Sequence, residues 1–181
     1  MAFLYQCGFG DYATRHFYRF QYYLSTNWRG GGDDYGIQAS GASGWLIERI
    51  WVQHCDANWL SGSNGIIRNS RVADSWGDGI NLNNGNTLNS DKMGLNLTVQ
   101  NSFVRGAGDG GIAVYSDSGS SGTNSQMDGT KISNNTSVAP WWANGIRIAG
   151  EKNVLVTNNL VNSVSANNDL EIVLKSRQAL V

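Results

Sequence analysis

The chain has 181 residues, a formal net charge of −1 and only 15% charged residues. That length fits one domain with a sizeable core, and the near-neutral balance without basic clusters argues against nucleic acid or a membrane surface as partner. One proline among 23 glycines, with no apolar run near the roughly 18 residues of a membrane span, points to closely spaced turns rather than a helical bundle.

Residues 1–35 stand apart in composition, with the aromatic run HFYRFQYY at 16–23 and the closing RGGGDDYG. This segment reads as an irregular end cap, because a stack of repeats must close its exposed end; an aromatic binding wall is the other reading. The opening MAFLYQCGFGDYATR lacks the basic, apolar and cleavage regions of a signal peptide. It fits a cytoplasmic protein, or a secreted one without its leader. Cys7 and Cys55 are compatible with one disulfide or with ordinary small buried residues.

From Gly36 to the end the chain repeats itself. NSRVADSWGDGINL and NSFVRGAGDGGIAVY are near-copies, and aligning the whole chain on them puts Arg49, Asn69, Asn101, Asn135 and Asn159 at one corner. Ten residues later come Trp59, Gly79, Gly111, Gly145 and Asp169, each followed by Leu or Ile. The offset stays fixed while the total period varies, so insertions fall on the return, at 83–94 and 116–129. Between these marks lie short period-two segments such as IIRNSRV, LTVQNSFV, KISNNTSV and VLVTNNLV. Segments this short, punctuated by Gly and Asn, predict an all-β fold: a right-handed parallel β-helix of about five coils over 36–181, capped by 1–35. Asparagine at the corner tolerates left-handed backbone and can stack into a hydrogen-bonded ladder. The ending NNDLEIVLKSRQALV shows no evident polar cap, so a fragment or an oligomer stacked through the open end is expected.

Asp78 sits just before one Gly-Ile step, at a turn position that also accepts Asn or Gly, so it reads equally as a turn residue. Asp109, one coil later and one register earlier, occupies a column with no other acid. Coil spacing then brings the two carboxylates within roughly 5–10 Å, the separation that glycoside hydrolysis uses. Trp76 and Trp142 share a register two coils apart, and Trp141 precedes the latter. These rings can stack on sugar faces or pack beneath a loop. Tyr115, Asn81 and Asn83 lie close enough in sequence to reach hydroxyls. His54 and Cys55 have no second ligand pair beside them, so neither a metal nor another cofactor is expected.

The runs ERIWVQH and NWL, GIIRNSRVADSWGDGINLNNG, NSFVRGAGDGGIAVYSD and NNTSVAPWWANGIRIAGEKNVLVTNNLV resemble the catalytic β-helix of glycoside hydrolase family 87, the α-1,3-glucanases or mutanases. The likeness covers roughly 45–165 in continuous register, with a more distant similarity to the dextranase and polygalacturonase families. It implies a secreted hydrolase of carbohydrate metabolism that makes an inverting, endo-type attack on an α-glucan. Asp78 matches the family's lone aspartate, and Asp109 the first of an adjacent pair whose second member is here Gly110. By the same resemblance Asp109 is the acid and Asp78 the base, while His54 and Trp59 fall where the family has similar residues. The departure at Gly110 leaves a second expectation: a binding or structural β-helix that has lost turnover. A polysaccharide lyase would need a base near the acids, where Arg105 and Arg147 are the nearby basic residues.

Overall fold

The computed structural model describes residues 2–3, 15–18, 36–39, 42–55, 57–84, 94–116, 127–162 and 170–173. Eighteen strands among these residues, numbered in chain order, form three sheets that wind around a common core.

The first sheet runs β1 (Ala2–Phe3), β3 (Ile37–Ala39), β6 (Asn58–Leu60), β9 (Ile80–Asn83), β12 (Ile112–Tyr115), β15 (Ile146–Ala149) and β18 (Leu170–Val173). The second stacks β4 (Leu46–Glu48), β7 (Ile66–Arg68), β10 (Thr98–Gln100), β13 (Lys131–Ser133) and β16 (Leu155–Thr157). In the third lie β2 (Arg15–Tyr18), β5 (Ile50–Gln53), β8 (Arg71–Ala73), β11 (Phe103–Arg105), β14 (Thr136–Val138) and β17 (Leu160–Asn162). Every pairing is parallel except β1 on β3. The chain is a parallel β-helix, one strand of each sheet per coil. Within the segment 1–35, β1 pairs with β3 and β2 with β5; the rest of that segment, Cys7 included, lies outside the described residues, as does the tail 174–181.

Alternation along each strand sends one set of side chains inward. Ile67, Val99 and Ile132 stack from the second sheet, Val52, Val72 and Val104 from the third, and Leu60, Leu82, Val114 and Ile148 from the first. Each such side chain contributes about 1.5–3 kcal/mol by leaving water. Two inward positions are polar: Ser137 Oγ donates to Gly145 O at 2.8 Å, and Asn58 Nδ2 donates to Gly79 O at 2.7 Å while its Oδ1 has no partner among the described residues. Cys55 is buried in the same core, its Sγ 3.6 Å from Gln53 O.

The corner differs by one residue from the sequence alignment in its last two coils. Arg49, Asn69, Asn101, Asn134 and Asn158 carry the left-handed backbone, with φ from 50° to 55°. Asn135 and Asn159 instead point inward, in the column of Ser70 and Ser102. There each side chain bonds the main chain of the coil before. Asn135 Oδ1 accepts from Ser102 N–H at 2.9 Å, and Asn159 Oδ1 accepts from Asn135 N–H at 2.9 Å. Both corners read Asn-Asn, so residue type could not say which asparagine turns out and which turns in.

The column set by the offset of ten holds at Ile80, Ile112, Ile146 and Leu170, which share one register, and fails in the first coil. Trp59 pairs with Asn81, not with Gly79. The connections into the first sheet span 54–57, 74–79, 106–111 and 139–145, so the first is the shortest, the middle two are equal and the last is the longest. Insertions do fall on the return, between β9 and β10 and between β12 and β13.

One close approach has a measurable consequence. Trp45 lies buried over Gly65, its Nε1–H donating to Ser61 O at 2.9 Å. A Cβ on residue 65 would sit 1.9 Å from Trp45 Cε2. Gly65→Ala should therefore destabilise by about 1–3 kcal/mol through overpacking, read as a lower urea midpoint at unchanged slope. An unaltered midpoint would mean that the ring moves aside freely.

Candidate active site

The connection 74–79 delivers Asp78 to the edge of the first sheet, and 106–111 delivers Asp109 one coil on. Asp109 N–H donates to Gly77 O at 3.1 Å and Gly79 N–H to Gly110 O at 2.9 Å, so Asp78 faces Asp109 and Gly110 of the next coil. Between those two rungs the Gly110 N–H turns to the side chain, meeting Asp78 Oδ1 at 2.8 Å. The carboxylate thus takes an amide that a regular rung would give to a main-chain carbonyl.

The other carboxylate oxygen, Oδ2, accepts from Asn81 Nδ2 at 2.6 Å, and Asn81 Oδ1 accepts from Asn83 Nδ2 at 2.9 Å. Burial pushes Asp78 up to about 6 from the usual 3.8. The Asn81 amide opposes that rise, the Asp109 charge adds to it, and the Gly110 N–H and the Arg147 charge oppose it. Asp78 and Asp109 are both partly buried.

Asn81 and Asn83 are almost wholly enclosed, at 6% and 2% exposure, with their amides committed to the line that ends on Asp78. The exposed candidates are aromatic. Trp76, Trp142 and Trp141 are 37%, 54% and 78% exposed, and Tyr115, paired with Asn83 at the end of β12, is 48% exposed. Gly108 lies at the register between Trp76 and the Trp141–Trp142 pair: its N–H bonds Ser75 O, while Trp141 N–H bonds Ala107 O. A Cβ there would fall 2.0 Å from the Trp76 carbonyl oxygen, so the position between the rings carries no side chain. Trp59 is partly buried on the outer face of the first sheet, in the row of Asn81, Ala113 and Arg147. His54 sits exposed at a left-handed corner (φ 56°), in the turn that precedes β6.

Two contributors act in ways that the sequence did not indicate. Gly110 was legible only as a missing carboxylate, yet its N–H holds Asp78; a main-chain donor leaves no residue-type signal. Arg147, two coils from Asp78, acts on it through charge. Its place in the row of Asn81 follows from strand register, which the alignment on Gly-Ile steps already contained.

Comparison with known proteins bears on this geometry. The family described as alpha-1,3-glucanase catalytic domain D2 matches residues 16–172. The fold is also similar to the crystal structure of the catalytic unit of a thermostable GH87 alpha-1,3-glucanase from Streptomyces thermodiastaticus strain HF3-3. The two share a TM-score of 0.58 and 26% identity over 71% of this chain. This chain spans only 22% of that structure's length. No curated protein matches it. With nearly its whole length in register with the family's pattern, the chain belongs to the alpha-1,3-glucanase catalytic domain D2 family.

Proposed function

We propose that this domain is a secreted glycoside hydrolase of carbohydrate metabolism, cutting α-glucan chains, α-1,3-linked, from within and with inversion. The observation that carries the reading is the pair Asp78 and Asp109 on adjacent coils, close enough that the Asp109 charge helps to hold a proton on Asp78. Asp109 donates its proton to the glycosidic oxygen as the bond to the anomeric carbon breaks. Asp78 takes a proton from a water that attacks that carbon from the opposite face. At the end Asp109 is ionised and Asp78 protonated, and exchange with solvent resets both. Two N–H donors on Asp78 suit the ionised form that a base needs. No metal or other cofactor enters this scheme. Family membership supports the substrate class.

The exposed rings at Trp76, Trp141 and Trp142, with Tyr115, supply apolar faces for pyranose stacking beside the acids, and His54 and Trp59 flank them one coil earlier. Trp142→Ala is expected to weaken binding to α-1,3-glucan by about 5- to 30-fold, or 1–2 kcal/mol. Trp76→Ala should have the smaller effect, because more of that ring is already covered. Pull-down on insoluble glucan checks both; unchanged binding in both variants would return these rings to a packing role.

Gly110 favours a second reading, a carbohydrate-binding β-helix without turnover. Reducing-sugar release from insoluble α-1,3-glucan separates the two. Release, with products of inverted anomeric configuration by NMR, supports the hydrolase; retained binding without release supports the second reading.

A further inference from the structure

Asn81 and Asn83 lie where a sugar-binding side chain would be sought, yet both are enclosed and point along a line toward Asp78. The line has a direction. Asn83 Nδ2 donates to Asn81 Oδ1, so the carbonyl end of the Asn81 amide faces Asn83 and its N–H end faces Asp78 Oδ2. An amide turned the other way would aim its carbonyl at a carboxylate oxygen, two acceptors with no proton between them. The Gly110 N–H holds the second oxygen. We propose that Asn83 and Asn81 are positioning residues, a two-amide relay that fixes the Asp78 carboxylate against the Gly110 N–H and keeps it in the form that accepts a proton from water.

The relay rests on the reading of Asp78 as the base of the proposed hydrolase, but its geometry can be tested without substrate. Each oxygen of Asp78 has one protein donor, so each retains a lone-pair direction for water. The other charged groups acting on Asp78 are Asp109 from the next coil and Arg147 from β15.

The experiment is a carbon-13 NMR titration of the Asp78 carboxyl in the full chain. Asn81→Leu removes the donor itself and should raise the midpoint by about one pH unit or more. Asn83→Leu touches nothing on Asp78 but frees the Asn81 amide to turn, and should raise the midpoint by a smaller amount in the same direction. A midpoint that moves with Asn81→Leu and stays put with Asn83→Leu overturns the relay. If either variant fails to fold, the unaltered protein still answers: the Asn81 side-chain amide resonances should titrate with the same midpoint as Asp78. Amide signals insensitive to that titration also overturn it. Where sugar release is measurable, kcat should fall with KM nearly unchanged; a raised KM with unchanged kcat would make the asparagines sugar contacts. Failure of the hydrolase reading has its own signature, which is absence of sugar release from the unaltered protein while the coupled titration persists.

Discussion

Replacing Asp109 by Asn is expected to lower the rate of sugar release from α-1,3-glucan by about 10²- to 10⁴-fold, the usual contribution of a positioned general acid. Asp78→Asn should cost a similar factor, because asparagine at that position offers only one acceptor oxygen to the donors from Asn81 and Gly110. Binding to the glucan should survive both changes, since the exposed rings are untouched. The pH profile tells the two acids apart. A base must be ionised, so kcat/KM of the unaltered protein should fall about tenfold per pH unit below a midpoint near that of Asp78, about 6. If activity were instead lost above that value, Asp78 would be the proton donor and the roles would exchange. Gly110→Asp, which would place a second acid beside Asp109, meets a steric condition first: a Cβ there would lie 3.0 Å from Asp78 Oδ1. Asp78 must yield a few tenths of an ångström, and the added charge would push its proton affinity higher still.

Glu151→Gln should stabilise the protein at pH 8 by up to about 3 kcal/mol and have little effect at pH 4. Glu151 is buried at 4% exposure on the connection from β15 to β16. Its Oε1 accepts from Thr130 N–H at 3.0 Å, whereas Oε2 has no hydrogen-bond partner among the described residues. Burial raises its carboxyl to about 7 from the usual 4.5; hydrogen bonding to Thr130 opposes the rise and the Asp128 charge adds to it. The folded chain therefore holds this proton more tightly than the unfolded chain does. Its contribution to stability is complete below pH 4.5, falls as pH rises and is lost once pH passes about 7. Glutamine resembles the protonated side chain and removes that loss. Asp78, also raised, slopes the same way, so the difference between variant and unaltered protein is what isolates Glu151. Urea unfolding at pH 4, 6 and 8 measures it; stability curves that run parallel across that range would place the titration elsewhere.

Asp78 and Glu151 show how far sequence carries. The offset of Asp78 from a Gly-Ile step marked it as a turn position, and the unusual acid at 109 on the next coil made the two a candidate pair. Glu151, in the run AGEKN, has nothing in its surroundings to separate it from an ordinary solvated glutamate. Its burial follows from its place in the turn below Met127 and beside Thr130, a relation between coils. The asparagine corners failed for the same reason. At 134–135 and 158–159 both candidates are asparagine, and only the pairing of Lys131–Ser133 with its neighbours decides which one faces the core.

The sequence by itself determined the architecture, the order of the coils, the return side of the insertions and the adjacency of Asp78 to Asp109. Period-two alternation and repeated Gly-Asn turns are local properties, and each is written once per coil. Only the tertiary structure decided where the hydrogen bonds end. The line from Asn83 through Asn81 to Asp78 is local in the chain, but the Gly110 N–H that completes it and the Thr130 N–H on Glu151 come from neighbouring coils. A main-chain amide or a covered carboxylate looks the same in every sequence; what differs is the neighbour that folding sets beside it.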